Sequence, residues 1–392
     1  MFIVSIILAA ISLCIWIVLT FFRGWFWLLS LYDDDTAPHR SLSSWPRVVA
    51  VLPARNEADT IAQAVESLVA QDYGGEFRVL VVDDHSEDAT AELARKAAES
   101  HGATGQIEVL TAAALASGWT GKLWAQQQGI EYAAKFTPDY FWLTDADIVH
   151  APDTLRRLVS RAEEHLLDLT SLMVLLHAKT FPERLLIPPF LYFFLKLYPP
   201  AWIASSKSTL AGGAGGCMLL RSSALCQIGG MSAIQQEVID DCALARAVKG
   251  SGGKIWMGLT RNSVSLRSYR SLSEIRDLIA RTAFTQLNYS ALLLLGTVAG
   301  MLLTYIVPVV LAFHPATVVW RLSLAAAALM TITYLPTVRF YRLSPAWAPL
   351  LPVAATFYSY ATVLSAVRFW LGRGGQWKGR SQAPVKPRIG AA

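Results

Sequence analysis

The 392-residue sequence has little charge, few cysteines and no dense block of lysine and arginine. Charged residues make up only 16% of it and hydrophobic residues 54%, which is apolar for a soluble protein and indicates a membrane component. Because no zinc-finger or recognition-helix pattern accompanies the net charge of +5, nucleic acid is not expected as a partner. That charge suits anionic lipid headgroups or an anionic ligand.

Several common motifs are also missing. The four cysteines include no C-x-x-C pair, which argues against a metal or disulfide framework, and those after Cys14 are predicted to be reduced, partly buried thiols. The sequence has no GxxxxGK[ST] phosphate loop, and AGGAGG at 211–216 fails the G-x-G-x-x-G spacing. A nicotinamide-dependent oxidoreductase is therefore disfavoured.

The first long apolar run, residues 1–22, carries no charge. At ~1.5 Å per residue it is long enough to cross ~30 Å of hydrocarbon once, so we predict a transmembrane anchor. A cleaved signal peptide is the alternative, but its basic start and small-residue cleavage site are not evident. Arg23, Arg40 and Arg47 follow the run, which places the downstream chain in the cytoplasm.

The C-terminal part is apolar again. Stretches 289–313, 317–338 and 346–367 predict a membrane region over 289–371 with two or three segments. Three full spans would put the basic, flexible tail, 372–392, outside the cytoplasm, against the charge rule. A re-entrant or interfacial segment and a failure of the rule both stay open.

Residues 45–268 predict a cytoplasmic α/β domain. Apolar runs of strand length occur at 48–53, 77–84, 107–110, 140–145 and 171–178. Helical segments near 57–70 and 88–100 follow the first two strands, and this alternation indicates a mostly parallel, Rossmann-like sheet.

Two segments are predicted to lie at the membrane interface. Residues 185–203 are apolar but contain two Pro pairs, so a continuous span is not expected and an interfacial segment is favoured over a loop. Residues 269–288 predict an amphipathic helix with Ser271 and Glu274 as a capping box.

Acidic residues end the predicted strands, where α/β sheets bind ligands. Asp83 and Asp84 end the second strand, and FWLTDADIVH, 141–150, contains Asp145 and Asp147. Residues two apart on an extended chain face one side, so this pair can converge on a divalent cation that offsets the cost of two carboxylates. A solvated loop is the alternative.

Two helix starts add further candidates. GWTGK, 118–122, places Lys122 and free N–H groups where a phosphate can bind. VIDDCALARAV, 238–248, puts Asp240 and Asp241 in a first helical turn, either to complement the helix dipole or to supply a general base.

Taken in order, these motifs resemble the family 2 inverting glycosyltransferases, which have the glycosyltransferase A fold. The match runs from Trp45 to Ser268 through PARNE, VVDDHS, GWTGKLWA, TDAD, AGGAGGCMLLRSSALCQIGGM and DDCALAR. With its anchor and apolar C-terminal region, the layout is similar to the hopanoid-biosynthesis-associated glycosyltransferases, and more distantly to the ceramide glucosyltransferases.

The resemblance implies a role for each matching position. The nucleotide would be bound by Pro53, Glu57, Asp84, Lys122 and Asp145. Asp84 would contact uracil, Asp145 and Asp147 would hold Mg²⁺ or Mn²⁺ with the diphosphate, and Asp241 would be the catalytic base.

One family motif is absent. Many lipid-directed relatives carry Q-x-x-R-W after the base, whereas 279–290 reads IARTAFTQLNYS. Arg281, Gln286 and Asp240 are the remaining candidates for contacts with the acceptor or diphosphate. The departure puts polymerisation in doubt.

We therefore expect a multi-pass protein of a bacterial-type inner membrane, a hexosyltransferase that moves a sugar from a UDP-sugar to a lipid hydroxyl, with hopanoid biosynthesis implied by the resemblance. Two alternatives stay open: a polyprenyl-phosphate acceptor, and a non-catalytic membrane module that binds nucleotide-sugar.

Overall fold

The computed structural model describes residues 2–29 and 42–373 and the backbone of 376–377 and 380–381. Arg40 and nearly all of the predicted basic tail, 372–392, lie outside the described residues.

After an N-terminal helix, the described chain alternates between strands and helices, then continues as a run of helices, and ends in two short strands. The strands are β1 (Val48–Ala54), β2 (Phe77–Asp83), β3 (Ile107–Thr111), β4 (Tyr140–Thr144), β5 (Ile148–His150), β6 (Leu169–Leu175), β7 (Cys217–Arg221), β8 (Ile255–Ser265), β9 (Gln376–Trp377) and β10 (Arg380–Ser381). The helices are α1 (Phe2–Phe21), α2 (Ile61–Val69), α3 (Thr90–Ser100), α4 (Gly121–Ala133), α5 (Thr154–His165), α6 (Phe181–Leu197), α7 (Pro200–Ala204), α8 (Ser222–Gln227), α9 (Asp240–Gly250), α10 (Leu272–Gln286), α11 (Ala291–Met301), α12 (Val307–Leu311), α13 (Thr317–Phe340) and α14 (Leu351–Trp370).

One eight-stranded sheet forms the centre of the α/β domain, in the order β3-β2-β1-β4-β7-β6-β8-β5. The pairs β1–β2, β2–β3, β1–β4 and β6–β8 are parallel, whereas β7 runs antiparallel to β4 and β6, and β5 runs antiparallel to β8. Six of the eight strands therefore run in the same direction, as expected for a mostly parallel sheet, and β5 and β7 make the sheet mixed. The long path through α6 and α7 removes the constraint that a short crossover helix places on strand direction.

The sheet is covered on both faces, and every residue of β1 is buried. On one face α4 lies close to β1 and β2 because it has Gly129 at the contact. A Cβ there would lie 2.5 Å from Val51 Cγ1 and 2.9 Å from Val82 Cγ2. This close packing holds the first turn of α4 over the carboxyl ends of the strands.

The proline-containing segment is broken as expected at its second Pro pair, Pro199 and Pro200, where α6 has ended and α7 begins, but it is helical through its first pair. Helix α6 continues through Pro188 and Pro189, which are both buried. Thr180 and Glu183 form a capping box at its start, and the helix packs against α10, α13 and α14. Packing and capping stabilise the helix despite the backbone hydrogen bonds that proline removes.

Four described helical stretches are long and apolar enough to cross a membrane: Phe2–Phe21, Ala291–Leu311, Thr317–Phe340 and Pro345–Trp370. Their mean hydropathy falls from 3.0 in the first to 1.5 in the last. The second joins α11 to α12 through a π-helical turn, Leu302–Ile306. Helix α10 precedes the last three of them. Its N-cap residue Ser271 accepts the Glu274 N–H, which is one half of the predicted capping box, and the Glu274 carboxylate accepts from Arg270 N at 3.0 Å.

Candidate active site

A cavity of about 1030 Å³ opens where the carboxyl ends of β1 and β4 meet the first turns of α4 and α9. It is lined by most of the residues that the sequence singles out: Pro53, Glu57, Lys122, Asp145, Asp147, Asp240, Asp241 and Arg281. Polar residues from five separate stretches of sequence thus share one space.

Asp145 and Asp147 both line the cavity, and so does Ala146 between them, because these three residues form a turn after β4 and not the extended chain that the alternation assumes. The Oδ2 atom of Asp147 accepts a hydrogen bond from Ser265 Oγ at 3.0 Å. The backbone oxygen of Asp147 accepts another from Leu266 N at 2.8 Å. The end of β8 therefore fixes the second aspartate.

Lys122 joins two of the acidic elements. Its Nζ lies 2.8 Å from Asp145 Oδ1 and 3.0 Å from Asp240 Oδ2. Burial alone would lower the pKa of Lys122, but the two carboxylates outweigh it and raise that pKa. Burial raises the pKa of Asp145, with a further contribution from Asp147, and Lys122 opposes both. The ammonium group therefore stays charged at neutral pH.

Asp241 is oriented by two backbone amides. Cys242 N donates to its Oδ1 at 2.7 Å, and Gly215 N donates to its Oδ2 at 2.9 Å. Burial and the neighbouring Asp240 raise the pKa of Asp241 to about 6, against the opposing effects of Lys122 and the two amides. A carboxylate with this pKa is ionised at neutral pH and can accept a proton there.

A buried histidine that the sequence analysis did not single out supports the site from behind. Thr144 Oγ1 donates to Gly216 O at 2.8 Å, so it accepts from His150 Nε2, also at 2.8 Å. The other ring nitrogen, Nδ1, then accepts from Ser263 Oγ at 2.8 Å. Burial lowers the pKa of His150 to about 3, so the ring is neutral. This chain connects the end of β4 to the glycine loop beside Asp241.

The donor set suits a hard divalent cation that completes its coordination with water and substrate. No group of three or more His, Cys, Asp or Glu side chains able to hold an ion occurs within the described parts of the chain. Asp145 and Asp147 supply two carboxylates, and Mg²⁺ sites in phosphate-binding enzymes typically use one or two.

Two predicted residues lie elsewhere. Asp84 is fully buried, with its Oδ2 4.0 Å from Arg55 Nη1, and it does not line the cavity, so its contact with a base stays a prediction. Gln286 donates to Tyr198 Oη at 2.6 Å and lines a separate cavity of about 520 Å³. The structure therefore does not bring Gln286 to the carboxylates.

Six further charged residues line the main cavity: Glu237, Arg267, Glu274, Asp277, Arg368 and Arg373. Arg267 follows β8, a strand that the sequence analysis did not predict. Arg368 lies just beyond the apolar stretch 346–367. Its charge at the end of that stretch is the sequence feature that could have marked it as a candidate site residue.

Residues 49–229 match the family described as Glycosyl transferase family 2. This matched stretch is slightly less than half of the chain. It contains β1 to β7 and, among the lining residues, Lys122 and Asp145.

Solved structures resemble the chain at low identity. A mannosyltransferase from Pyrobaculum calidifontis in complex with GDP-Man and Mn²⁺ is similar with a TM-score of 0.57 at 17% identity, over 93% of this chain and 98% of that chain. Glucosyl-3-phosphoglycerate synthase from Mycobacterium tuberculosis in complex with Mg²⁺ and UDP has a TM-score of 0.38 at 17% identity, over 62% and 79%. The first similarity shows a shared fold.

Proposed function

We propose that the chain is an inverting glycosyltransferase that moves a sugar from a UDP-sugar to the hydroxyl group of a membrane lipid. The observation that carries this proposal is the position of Lys122, with Asp145 at 2.8 Å, in the same cavity as the amide-oriented Asp241. A diphosphate needs a cation and an acceptor hydroxyl needs a base, and the cavity supplies both.

In the proposed reaction, the acceptor hydroxyl gives its proton to a carboxylate oxygen of Asp241. Its oxygen forms a bond to the anomeric carbon from the side opposite the diphosphate. The bond from that carbon to the diphosphate breaks, and its electron pair leaves with the UDP, so the configuration inverts. Lys122 stabilises the negative charge that develops on the departing phosphate.

A divalent cation, Mg²⁺ or Mn²⁺, would be held by Asp145 and Asp147 and would neutralise diphosphate charge when bound. Pro53 and Glu57 line the same cavity and would contact the nucleotide. Asp240 holds Lys122 in place through its 3.0 Å contact.

The acceptor is proposed to be a lipid because four apolar helices accompany the domain. The protein would reside in a bacterial-type inner membrane with its catalytic domain in the cytoplasm, since Arg23 and Arg47 follow α1. Hopanoid biosynthesis is the specific setting implied by the sequence resemblance.

The donor site is tested by titrating the detergent-purified full chain with UDP, with and without Mn²⁺. GDP is included because the P. calidifontis mannosyltransferase binds GDP-Man, and NAD⁺ serves as a negative control. We expect Mn²⁺-dependent UDP binding that Asp147→Ala abolishes and Asp139→Ala, at the opposite end of β4, retains. Metal-independent binding, or none to UDP, would contradict the donor site and favour the non-catalytic module.

A second candidate acceptor is polyprenyl phosphate, because Arg267 and Arg281 line the cavity and can bind a phosphate. A phosphate is already ionised and needs no strong base. With that acceptor, Asp241→Asn would lose little activity, whereas with a hydroxyl acceptor it would lose most of it.

A further inference from the structure

Helix α14 has the length of a membrane span, but its start lies beside the α/β domain. Helix α13, which precedes it, ends at Phe340, whose carbonyl oxygen accepts from Arg261 Nε on β8 at 2.9 Å. Trp347, in the 3-10 turn before α14, packs against Phe181 at the start of α6 with ring centroids 5.5 Å apart. The chain therefore enters α14 on the catalytic side.

The end of α14 lies beside the same domain. Ser365 Oγ donates to Ala280 O and accepts from Phe284 N at 3.1 Å, and Arg368 Nη2 lies 2.8 Å from Asp277 Oδ1. Besides these contacts to α10, the C-terminal part of α14 and the residues just after it line the cavity of the proposed catalytic carboxylates, through Leu364, Val367, Leu371 and Arg373.

The middle of α14 also contacts the domain, since Tyr358 Oη donates to Leu186 O in α6 at 2.8 Å. A helix of 20 residues is ~30 Å long, so a crossing would carry one end to the far side of ~30 Å of hydrocarbon. Contacts at both ends and in the middle are incompatible with that path.

We propose that α14 does not cross the bilayer but lies along its catalytic side, where it closes the cavity together with α10. Its outer face would contact the acyl chains of the nearer leaflet, and the lipid acceptor would reach Asp241 from that leaflet. This inference rests on the proposed membrane location.

Exposure and charge support this placement. Of the 18 most apolar consecutive residues in Pro345–Trp370, 44% are buried, against 17%, 22% and 33% in the other three stretches that could span a membrane. The exposed residues of α14 carry no charge, and all except Thr356 are apolar or aromatic: Val353, Tyr360, Val363, Val367 and Trp370. Arg373 then lies on the same side as Arg23 and Arg47, which removes the conflict between three C-terminal spans and the charge rule.

Cysteine labelling tests the proposal in the full-length chain. Exposed Cys14 and Cys226 are replaced by Ser, and single cysteines are introduced as Arg373→Cys, Lys96→Cys in α3 and Phe313→Cys between α12 and α13. Inside-out and right-side-out vesicles are treated with a membrane-impermeant maleimide. We expect Arg373→Cys to be labelled in the same vesicles as Lys96→Cys. Labelling in the opposite vesicles would overturn the proposal.

Two measurements separate this inference from the proposed function. Alkaline carbonate extraction reports membrane embedding whatever the side of residue 373. Charge exchange reports the contact between α10 and α14: Asp277→Arg and Arg368→Asp should each lower transfer activity, and the double exchange should restore part of it. Loss without any restoration would contradict the contact.

Discussion

Lys122 Nζ lies 2.8 Å from Asp145 Oδ1, so the first turn of α4 is tied directly to the end of β4. The same ammonium contacts Asp240 at 3.0 Å. One cation thus links the aspartates proposed for the diphosphate to the helix that carries the proposed base, and several predictions depend on this link.

Replacing Lys122 should weaken nucleotide binding, because a charge-assisted contact to a phosphate typically contributes ~1.5–3 kcal/mol. For Lys122→Met we expect UDP affinity to fall by about 10- to 100-fold, measured by calorimetry in the presence of Mn²⁺. The control is Lys96→Met, which removes an exposed lysine paired with Glu92. Unchanged affinity in Lys122→Met would show that this lysine does not meet the diphosphate.

Replacing Asp241 should affect turnover rather than donor binding. Removing a general base typically costs about 10²- to 10⁴-fold, so we expect a decrease of that size in kcat for Asp241→Asn with a lipid hydroxyl acceptor. UDP affinity should change little, because the amide side chain keeps the shape of the carboxylate. Asp139→Asn is the matched control, and equal losses in both variants would argue against a specific role.

The pH dependence of kcat/KM should report the same group. Asp241 accepts a proton only when it is ionised, and its pKa is raised to about 6. Activity should therefore be full well above pH 6 and fall about tenfold per unit below it. Asp240 and Lys122 contribute to this value, so the measured limb belongs to the interacting set. A profile that stays flat down to pH 4.5 would rule out this assignment.

Gly129 should be intolerant of a side chain, because a Cβ would lie 2.5 Å from Val51 Cγ1. Overpacking of this kind typically costs ~1–3 kcal/mol, so Gly129→Ala should lower the thermal midpoint and, by displacing α4, weaken UDP binding. The control is Gly105→Ala, where a Cβ meets nothing within 4 Å. Equal midpoints for the two variants would contradict the packing.

These residues show what local sequence patterns can predict. Asp145 and Asp147 follow an apolar run, and their place at the carboxyl end of a strand is enough to predict that they line the site. They meet there through a turn, which the two-residue period of an extended chain does not describe. Lys122 and Asp241 were similarly predicted to lie in the first turn of a helix that follows a loop. The order of the motifs, through the resemblance to known glycosyltransferases, then predicted that these residues share one site.

Other features depend on contacts between distant residues. Gln286 lies in a helix that was correctly predicted. Its side chain donates to Tyr198, 88 residues away in the sequence, and it does not line the cavity that contains the carboxylates. The antiparallel entry of β7 depends on the path of α6, whose two prolines are tolerated only because the helix is packed and capped. Sequence periodicity contains no information on either contact.

The neutral state of His150 should make stability depend on pH. The folded pKa is about 3, whereas an exposed histidine has a pKa of ~6.5, so the unfolded chain binds more protons between those values. This contribution to stability is complete above pH 6.5 and is lost as the pH falls, by up to ~1.4 kcal/mol per unit.

Thermal unfolding in detergent between pH 7.5 and 5 measures this effect. The midpoint should fall on acidification, and it should fall less in His150→Gln, which cannot take up the proton. His101→Gln, in an exposed position, should behave like the parent chain. Identical slopes in all three would contradict the role of His150.

The cavity wall formed by the last turn of α14 has a consequence for biosynthesis. The chain emerges from the ribosome in order, so every proposed catalytic carboxylate is made well before Leu364 and Leu371. Until those residues dock against α10, the carboxylates face bulk water and a bound donor would be open to hydrolysis. Transfer to the acceptor without this loss of donor would thus begin only once α14 has been synthesised and has docked.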